Sequence, residues 1–267
     1  MIIVKEVESK SILSKTAIPK ADYVINPYIG CSHACIYCYA RFMKRFTGHK
    51  EAWGSFLDIK INSPQLIPKR TNKYRNKYVL LSSVTDPYLQ FEGKYKITRK
   101  ILEKLLPLEI DLGILTKSNL VSRDLDIIKK FKKSEVGISF STLDEDLRRK
   151  LEPSAPSISA RLKTLKHIHN QGIRNYLFIS PIFPFLTDWK DIITTTRDFV
   201  DYYMFENLNI IGSVWPFVKK FLDENFPDMI DEYRQIYFED SVYWDIVKDE
   251  IIDYCKNENL NYKIYFH

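Results

Sequence analysis

NPYIGCSHACIYCYARFM, residues 26–43, holds three of the four cysteines in the chain: Cys31, Cys35 and Cys38. Their spacing is C-x3-C-x2-C, tight enough to bring three thiolates to one face of a metal cluster. The number three is informative. A closed structural zinc site takes four ligands, and ferredoxin-type clusters also use four cysteines. Three thiolates on a four-iron cubane leave one iron open to another ligand. Two further readings stand beside this one. A zinc ion could be held by the three cysteines with His33 or a distant residue. The thiols could also be buried without any metal, since free cysteine is among the most buried residue types. Tyr37 and Tyr39 place an aromatic on each side of the last cysteine, which simple burial does not require.

The chain has 267 residues, 45% of them apolar and 28% charged. That length suits a single α/β barrel, and the composition excludes a disordered chain. No apolar run reaches a membrane span, and the N-terminal sequence lacks a signal-peptide pattern. Three clustered cysteines plus Cys255 do not form a disulfide framework. A reducing, cytoplasmic setting is therefore expected. The net charge of +6 is uneven: residues 186–267 carry 17 acidic and 8 basic residues, so that segment is at −9 and the rest at +15. Two surfaces with different partners would explain this; a lysine-heavy coding bias would too.

Outward from the cysteine loop, the pattern predicts a first strand over 24–29, a turn at Gly30 and a helix over 39–46 with a basic face. Strands are expected over 78–84, 110–115, 136–141, 175–180 and 208–212, as short apolar runs of the buried parallel kind. Between them fall helices over 98–106, 123–132 (capped by Ser122), 143–151, 159–171 (closed by Gly172) and 191–203. Residues 69–77, KRTNKYRNK, read as a basic loop. Regular β-α alternation gives about six units and a parallel sheet. The polar stretches at 85–86, 116–118, 139–142 and 180–181 follow strand C-termini, where parallel α/β folds place ligands. Beyond Gly212 the chain becomes acidic and aromatic, with two or three helices and a last strand over 262–266.

These stretches resemble the radical S-adenosylmethionine (radical SAM) superfamily, in the branch labelled "DNA repair photolyase" and related to spore photoproduct lyase. The resemblance rests on NPYIGCSHACIYCYAR at 26–41, SVTDPYLQFE at 83–92, LTKSNLVSRD at 115–124, GISFSTLDEDLRRKLEPSAPSISARL at 137–162 and PIFPFLTD at 181–188. It implies a partial (β/α)6 barrel over 1–213 with an N-terminal arm, and an acidic, aromatic C-terminal extension over 214–267. It also implies a 4Fe-4S cluster on Cys31, Cys35 and Cys38. S-adenosylmethionine at the open iron would be cleaved by one electron from a flavodoxin- or ferredoxin-like donor, giving a 5′-deoxyadenosyl radical that abstracts hydrogen from a substrate.

Carried over residue by residue, the resemblance sets Tyr37 near the adenine. Thr85 and Asp86 fall where the methionine amino group is contacted, although Asp86 also suits an Asx turn before Pro87. Lys117, Ser139 and Ser141 fall at strand ends that meet the carboxylate or ribose. Arg161 could clamp the carboxylate, with Glu152 holding Arg161 or the ribose, or forming a plain surface ion pair. Pro181 and Ile182 could pack on the adenine or simply in the core. One departure matters. Spore photoproduct lyases carry a hydrogen-donating cysteine at the end of the second strand, and Ser83 stands there in this chain, so efficient photoproduct lyase activity is not expected. Nucleic acid is a candidate partner of the basic body, through Lys69, Arg70, Lys73, Arg75, Lys77, Lys94, Lys96, Arg99 and Lys100 with Tyr74 and Tyr95 interleaved. A peptide, protein or small metabolite is the alternative substrate, with the acidic third docking a partner. A zinc-binding module without catalysis is the remote one.

Overall fold

A computed structural model describes residues 2–69, 71–210, 213–239 and 241–267. Arg70 of the expected basic loop, and Ile211 and Gly212 of the strand expected over 208–212, lie outside the described residues. The strands are β1 (Ile3–Val7), β2 (Leu13–Lys15), β3 (Tyr23–Ile25), β4 (Tyr28–Ile29), β5 (Phe56–Lys60), β6 (Tyr78–Leu81), β7 (Asp111–Thr116), β8 (Lys133–Phe140), β9 (Arg174–Ile182), β10 (Tyr203–Asn207) and β11 (Tyr262–Ile264). The main sheet has the order β11-β10-β9-β8-β7-β6-β3-β2. Every neighbouring pair in it is parallel except β2 with β3. Strands β3 and β6 to β10 are the six units of the open α/β barrel, and β11 extends the sheet.

Alternation along the strands sorts side chains between two faces. Val79, Leu81, Leu112, Ile114, Val136, Ile138, Phe140, Leu177, Ile179 and Phe205 are buried on one face. There they share a core with Ile101, Leu105, Ile128, Leu165, Ile168, Ile192 and Ile193 of the covering helices. The opposite, concave face carries large polar residues at its N-terminal end. Tyr78 donates to Glu135 (2.5 Å), Lys20 reaches the same carboxylate (2.6 Å), and Tyr176 stacks on Tyr202. Gly113 and Gly137 make room for them: a methyl group on either would collide with the ring of Tyr78 or Tyr176. The barrel floor is thus filled, and the open end lies at the strand C-termini.

Three of the barrel's helices begin on sequence-legible caps. Asp144 accepts from Asp146 N (2.8 Å) and Leu147 N (3.0 Å) ahead of Glu145–Leu151. Ser157 caps Ile158–Asn170, whose exit is Gly172 at φ +67°. Asp188 caps Trp189–Thr196.

Several expectations need correction. Residues 24–29 are two strands, not one. Proline has no N–H to give a ladder, and at Pro27 the chain leaves the main sheet for a second, three-stranded one ordered β1-β5-β4. Strand β5 was not foreseen, because its buried Asp58 hides the apolar pattern; that carboxylate is paired with His49 at 3.0 Å. Ser118, not Ser122, is the cap that matters, and 119–128 is a 3-10 turn followed by a short helix, Leu125–Ile128. The last barrel strand is 203–207, not 208–212. The preceding helix stops at Thr196, where Thr196 and Tyr203 share a hydroxyl hydrogen bond (3.0 Å).

The acidic segment forms three helices: Trp215–Asn225, Ile230–Phe238 and Tyr243–Asn257. The first two build a second apolar core with Leu147, Leu151, Phe183 and Leu208, against which Ile36 and Tyr37 of the cysteine loop pack. The third joins the main core through Val247, Ile251 and the buried Cys255. Among the described residues, no helix is long and apolar enough to cross a membrane.

Candidate active site

The cysteine loop follows β4, a few residues beyond the C-terminal end of β3, and is fastened on several sides. Asn26 Oδ1 accepts from Ser83 N (2.9 Å) and Val84 N (3.2 Å), tying the loop entrance to the end of β6. Thr85 Oγ1 donates to Gly30 O (2.6 Å). Gly30 sits at φ +88°, and a Cβ there would come within 2.6 Å of Phe56 O. On the far side Ile36 N donates to Leu151 O (2.9 Å), and Ser154 N to His33 O (3.2 Å). Arg41 closes the loop from below, giving Nη2 to Cys35 O and Ile36 O, both at 3.0 Å. Cys31 and Cys35 are buried, Cys38 is half-buried, and all three are free thiols.

Burial pushes all three thiols up, Cys35 to about 12. The charges of Cys35 and Cys38 push Cys31 further, and that of Cys38 adds to Cys35, so the sulfurs feel one another. Three thiols within one short loop have the donor chemistry that suits a thiophilic, positively charged centre, although among the described residues no three His, Cys, Asp or Glu side chains are gathered as a formed metal site. His33, the candidate fourth zinc ligand, faces Asp86 (3.6 Å).

Glu152 lies at the centre of the expected cofactor residues. It is fully buried and accepts from Tyr37 OH, Arg161 Nη2 and Ser141 Oγ (3.4 Å), with Lys117 Nζ at 3.7 Å. Burial alone would raise its carboxyl. The charges of Arg161 and Lys117, with the hydrogen bonds of Arg161 and Tyr37, outweigh that and hold it at about 2. Arg161 is equally buried; it also donates to Ser139 O (3.1 Å) and Pro156 O (3.0 Å). Lys117 Nζ donates to Ser139 Oγ (2.9 Å) and lies 5.7 Å from the Tyr37 ring. Glu152 holds Arg161, and the pair is buried inside the protein rather than at its surface.

Asp86 forms the Asx turn before Pro87: Oδ1 accepts from Tyr88 N (2.8 Å) and from Thr116 Oγ1 (2.6 Å), and Oδ2 from Lys117 N (2.8 Å). Both oxygens are engaged by the ends of β6 and β7, so Asp86 sets where Lys117 starts. Pro181 and Ile182 are buried at the end of β9, where Ser139 Oγ donates to Ser180 O (3.2 Å). Tyr37, Lys117, Ser139, Ser141, Glu152 and Arg161 form one connected group; Thr85 and Asp86 border it.

Some neighbours were not foreseen. Arg148 is buried and caps the carbonyls of Glu152 and Ala155, both at 2.9 Å, which fixes the Glu152 turn. Glu206 stands at a β-bulge on β10, takes a hydrogen bond from Ser180 Oγ (2.5 Å) and meets His267 Nε2 (3.2 Å). It was missed because the last strand was placed after it. The basic stretch 69–77 lies at the other end of the barrel, ahead of the start of β6. Arg75 is paired with Glu109 (3.1 Å), Lys77 with Asp22 (3.2 Å) and Arg99 with Asp124 (2.9 Å), while Tyr74 is buried against Tyr23. Tyr74, Arg75 and Lys77 thus sit just before β6, whereas Arg99 is in the helix Ile97–Leu105 that follows it.

The profile of the radical SAM superfamily matches residues 25–198. The chain belongs to this superfamily. It is 43% identical over 223 residues to an uncharacterised protein of Methanocaldococcus jannaschii, covering 84% of this chain and 83% of that one. A radical SAM Nalpha-GlyT isomerase of Pseudomonas phage M6 is 25% identical over 214 residues, 78% of this chain and 42% of the isomerase. Among solved structures, spore photoproduct lyase complexed with dinucleoside spore photoproduct superposes with a TM-score of 0.69 at 15% identity, covering 99% of this chain and 82% of the lyase. The protein is thus a radical SAM enzyme with the fold of spore photoproduct lyase. Membership implies S-adenosylmethionine, an iron–sulfur cluster and an electron donor.

Proposed function

We propose that this enzyme binds a 4Fe-4S cluster on Cys31, Cys35 and Cys38, binds S-adenosylmethionine beside it, and acts on a nucleic-acid substrate at the open end of the barrel. One observation carries the cofactor reading: the three-thiol loop lies directly against the buried Tyr37–Glu152–Arg161–Lys117 group. When bound, the cluster and S-adenosylmethionine supply one-electron cleavage and a 5′-deoxyadenosyl radical for hydrogen abstraction. The chain's own residues position and shield. Lys117 has three ammonium donors; Ser139 takes one and Glu152 attracts another, which leaves one for a carboxylate. Glu152 and Arg161 are already joined, so they fix Tyr37 and Lys117 rather than meet the ligand first. The second apolar core behind Tyr37 keeps water from that side.

The nucleic-acid reading moves from the basic loop to the helix Tyr39–Phe46, which begins one residue after Cys38. Tyr39 and Phe46 are exposed, and Phe42 sits 6.4 Å from each ring. The Arg45 guanidinium lies over Phe42 and Phe46 at 5.6 and 5.5 Å. Exposed rings interleaved with cations are what base stacking and phosphate contact use. The lyase of the same fold was solved with a dinucleoside photoproduct bound.

The test is anaerobic. Wild type and Cys35→Ala are reconstituted with iron and sulfide, reduced with dithionite and given S-adenosylmethionine, with oligonucleotides or peptides added. The expected result is 5′-deoxyadenosine from wild type alone, increased by oligonucleotide in a salt-dependent way. Cleavage increased by peptide and not by oligonucleotide would move the substrate to the peptide reading, which the exposed Phe238, Val242 and Ile246 of the acidic segment favour. Zinc without sulfide in the purified protein would overturn both.

A further inference from the structure

Glu206 is a half-buried carboxylate at the open end, and no lysine or arginine among the described residues pairs with it. The buried carboxylates of Glu92, Asp124, Glu135 and Glu152 each meet an arginine or a lysine. Glu206 has a hydroxyl and an imidazole instead: Oε2 accepts from Ser180 Oγ (2.5 Å), and Oε1 meets His267 Nε2 (3.2 Å). An ionised carboxylate has about four acceptor positions, two on each oxygen. One on each oxygen is taken, so one on each remains, side by side.

The strands aim this group at the barrel interior. Along β10, Tyr203, Phe205 and Asn207 are buried while Met204 and Glu206 are half-buried, so the last two share the concave face. At the bulge, Ser180 and Pro181 of β9 stand opposite the single residue Glu206; bulges re-aim side chains in this way. Strand β11 lies along the other side of β10. Tyr265 N donates to Phe205 O (2.8 Å) and His267 N to Asn207 Oδ1 (2.9 Å), which brings the imidazole to the carboxylate. One step down the strands, Met204 is in register with Phe178. Phe178 is half-buried although its neighbours along β9 are buried. A reachable apolar shelf thus lies below an under-used carboxylate.

A ligand that fits both has a flat face and two adjacent N–H donors on its edge. Among the common nucleobases guanine alone has that edge, with N1–H beside the 2-amino group. Adenine and cytosine set an acceptor beside the amine, and thymine and uracil flank one N–H with two carbonyls. Unpaired bases are read by stacking and by hydrogen bonds to this edge. Resting on the nucleic-acid reading above, we infer that Glu206 selects the substrate base: its two oxygens accept N1–H and N2–H of an unpaired guanine whose ring lies on Phe178 and Met204. The charge on the acceptor makes both bonds stronger than those between neutral groups. Ser180 and His267 hold the carboxylate in its orientation.

The experiment measures binding by fluorescence anisotropy. Labelled single-stranded thymine tracts carrying one central guanine, inosine, adenine or cytosine are titrated with the full chain loaded with iron and sulfide. Inosine is guanosine without the 2-amino group, so it removes one donor only. Wild type is expected to bind the guanine strand about tenfold more tightly than the inosine strand, a comparison that needs no variant. Glu206→Gln exchanges one acceptor oxygen for a donating amide NH2. It is expected to lose the guanine preference and to favour adenine or cytosine, whose edges pair a donor with an acceptor. Salt-dependent binding in which wild type does not prefer guanine to inosine, or a guanine preference that Glu206→Gln keeps, overturns the Glu206 assignment and leaves the nucleic-acid reading standing. Binding of no strand overturns both; an arginine-containing peptide held by wild type and not by Glu206→Gln would then assign the carboxylate to a peptide.

Discussion

Glu152 and Arg161 form an ion pair beneath the cysteine loop in which neither side chain is more than 1% exposed. Such a pair gives little net stability in itself, but breaking it leaves a charge stranded in the interior. Glu152→Gln should therefore cost about 3–5 kcal/mol, seen as a lower urea midpoint. The pH dependence has a definite sign. The folded Glu152 carboxyl is held at about 2, against an ordinary value of 4.5. Its contribution, about 3 kcal/mol, is complete above pH 4.5 and fades as pH falls towards 2. The Glu152→Gln variant should lose this part of the slope between neutral pH and pH 3. An unchanged slope would show that the pair does not govern acid sensitivity.

Ser83 closes β6 at the barrel mouth, with its backbone N–H on Asn26 and its carbonyl taken by Tyr39 OH. By the resemblance, this is the place of the lyase's hydrogen-donating cysteine. An alcohol O–H bond is too strong to give a hydrogen atom to a carbon radical. Wild type offered dinucleoside spore photoproduct should thus form little repaired dithymidine. Ser83→Cys should raise the yield of repaired product per 5′-deoxyadenosine. Chromatography of both products decides it, and catalytic repair by the wild type would contradict the assignment.

The residues that were readable in advance explain why some of the site was and some was not. Cys31, Cys35 and Cys38 sit in one short loop, so their spacing carries the information. The strand ends at Thr85, Lys117, Ser139 and Ser180 were readable because polar residues interrupt apolar runs there. Glu206 was not, because its strand, YMFEN, alternates over the bulge and has no continuous apolar signal. The basic stretch 69–77, expected to be a loop, holds a short 3-10 turn at Asn72–Tyr74 and leads into the start of β6. Charge in sequence does not reveal which end of a parallel strand it precedes.

His267 and Glu206 make a pair at the open end, and the hydrogen bond from the imidazole raises the His267 pKa above its ordinary 6.5. A raised folded value means that this interaction is fully present below pH 6.5 and is lost as pH climbs through the folded pKa. In a nuclear magnetic resonance titration, the His267 ring should titrate above 6.5 in wild type and return to the ordinary value in Glu206→Gln. A His267 signal that does not move between the two would mean that the pair does not form in solution.

Gly137 and Tyr176 test the barrel floor independently of the open end. A methyl group at 137 would collide with the Tyr176 ring, which stacks on Tyr202 at 5.1 Å and whose hydroxyl donates to Ile114 O at 3.3 Å. The ring cannot yield without giving up both contacts. Gly137→Ala should therefore destabilise the enzyme by about 1–3 kcal/mol through overpacking. The clash belongs to one pair, so its cost should not add to that of removing the ring. In the background of Tyr176→Leu, the further loss caused by Gly137→Ala should largely vanish, as expected for residues in direct contact. Urea unfolding of the four proteins gives the coupling. Additive effects would mean that Gly137 is small for some reason other than the passage of Tyr176 across the floor.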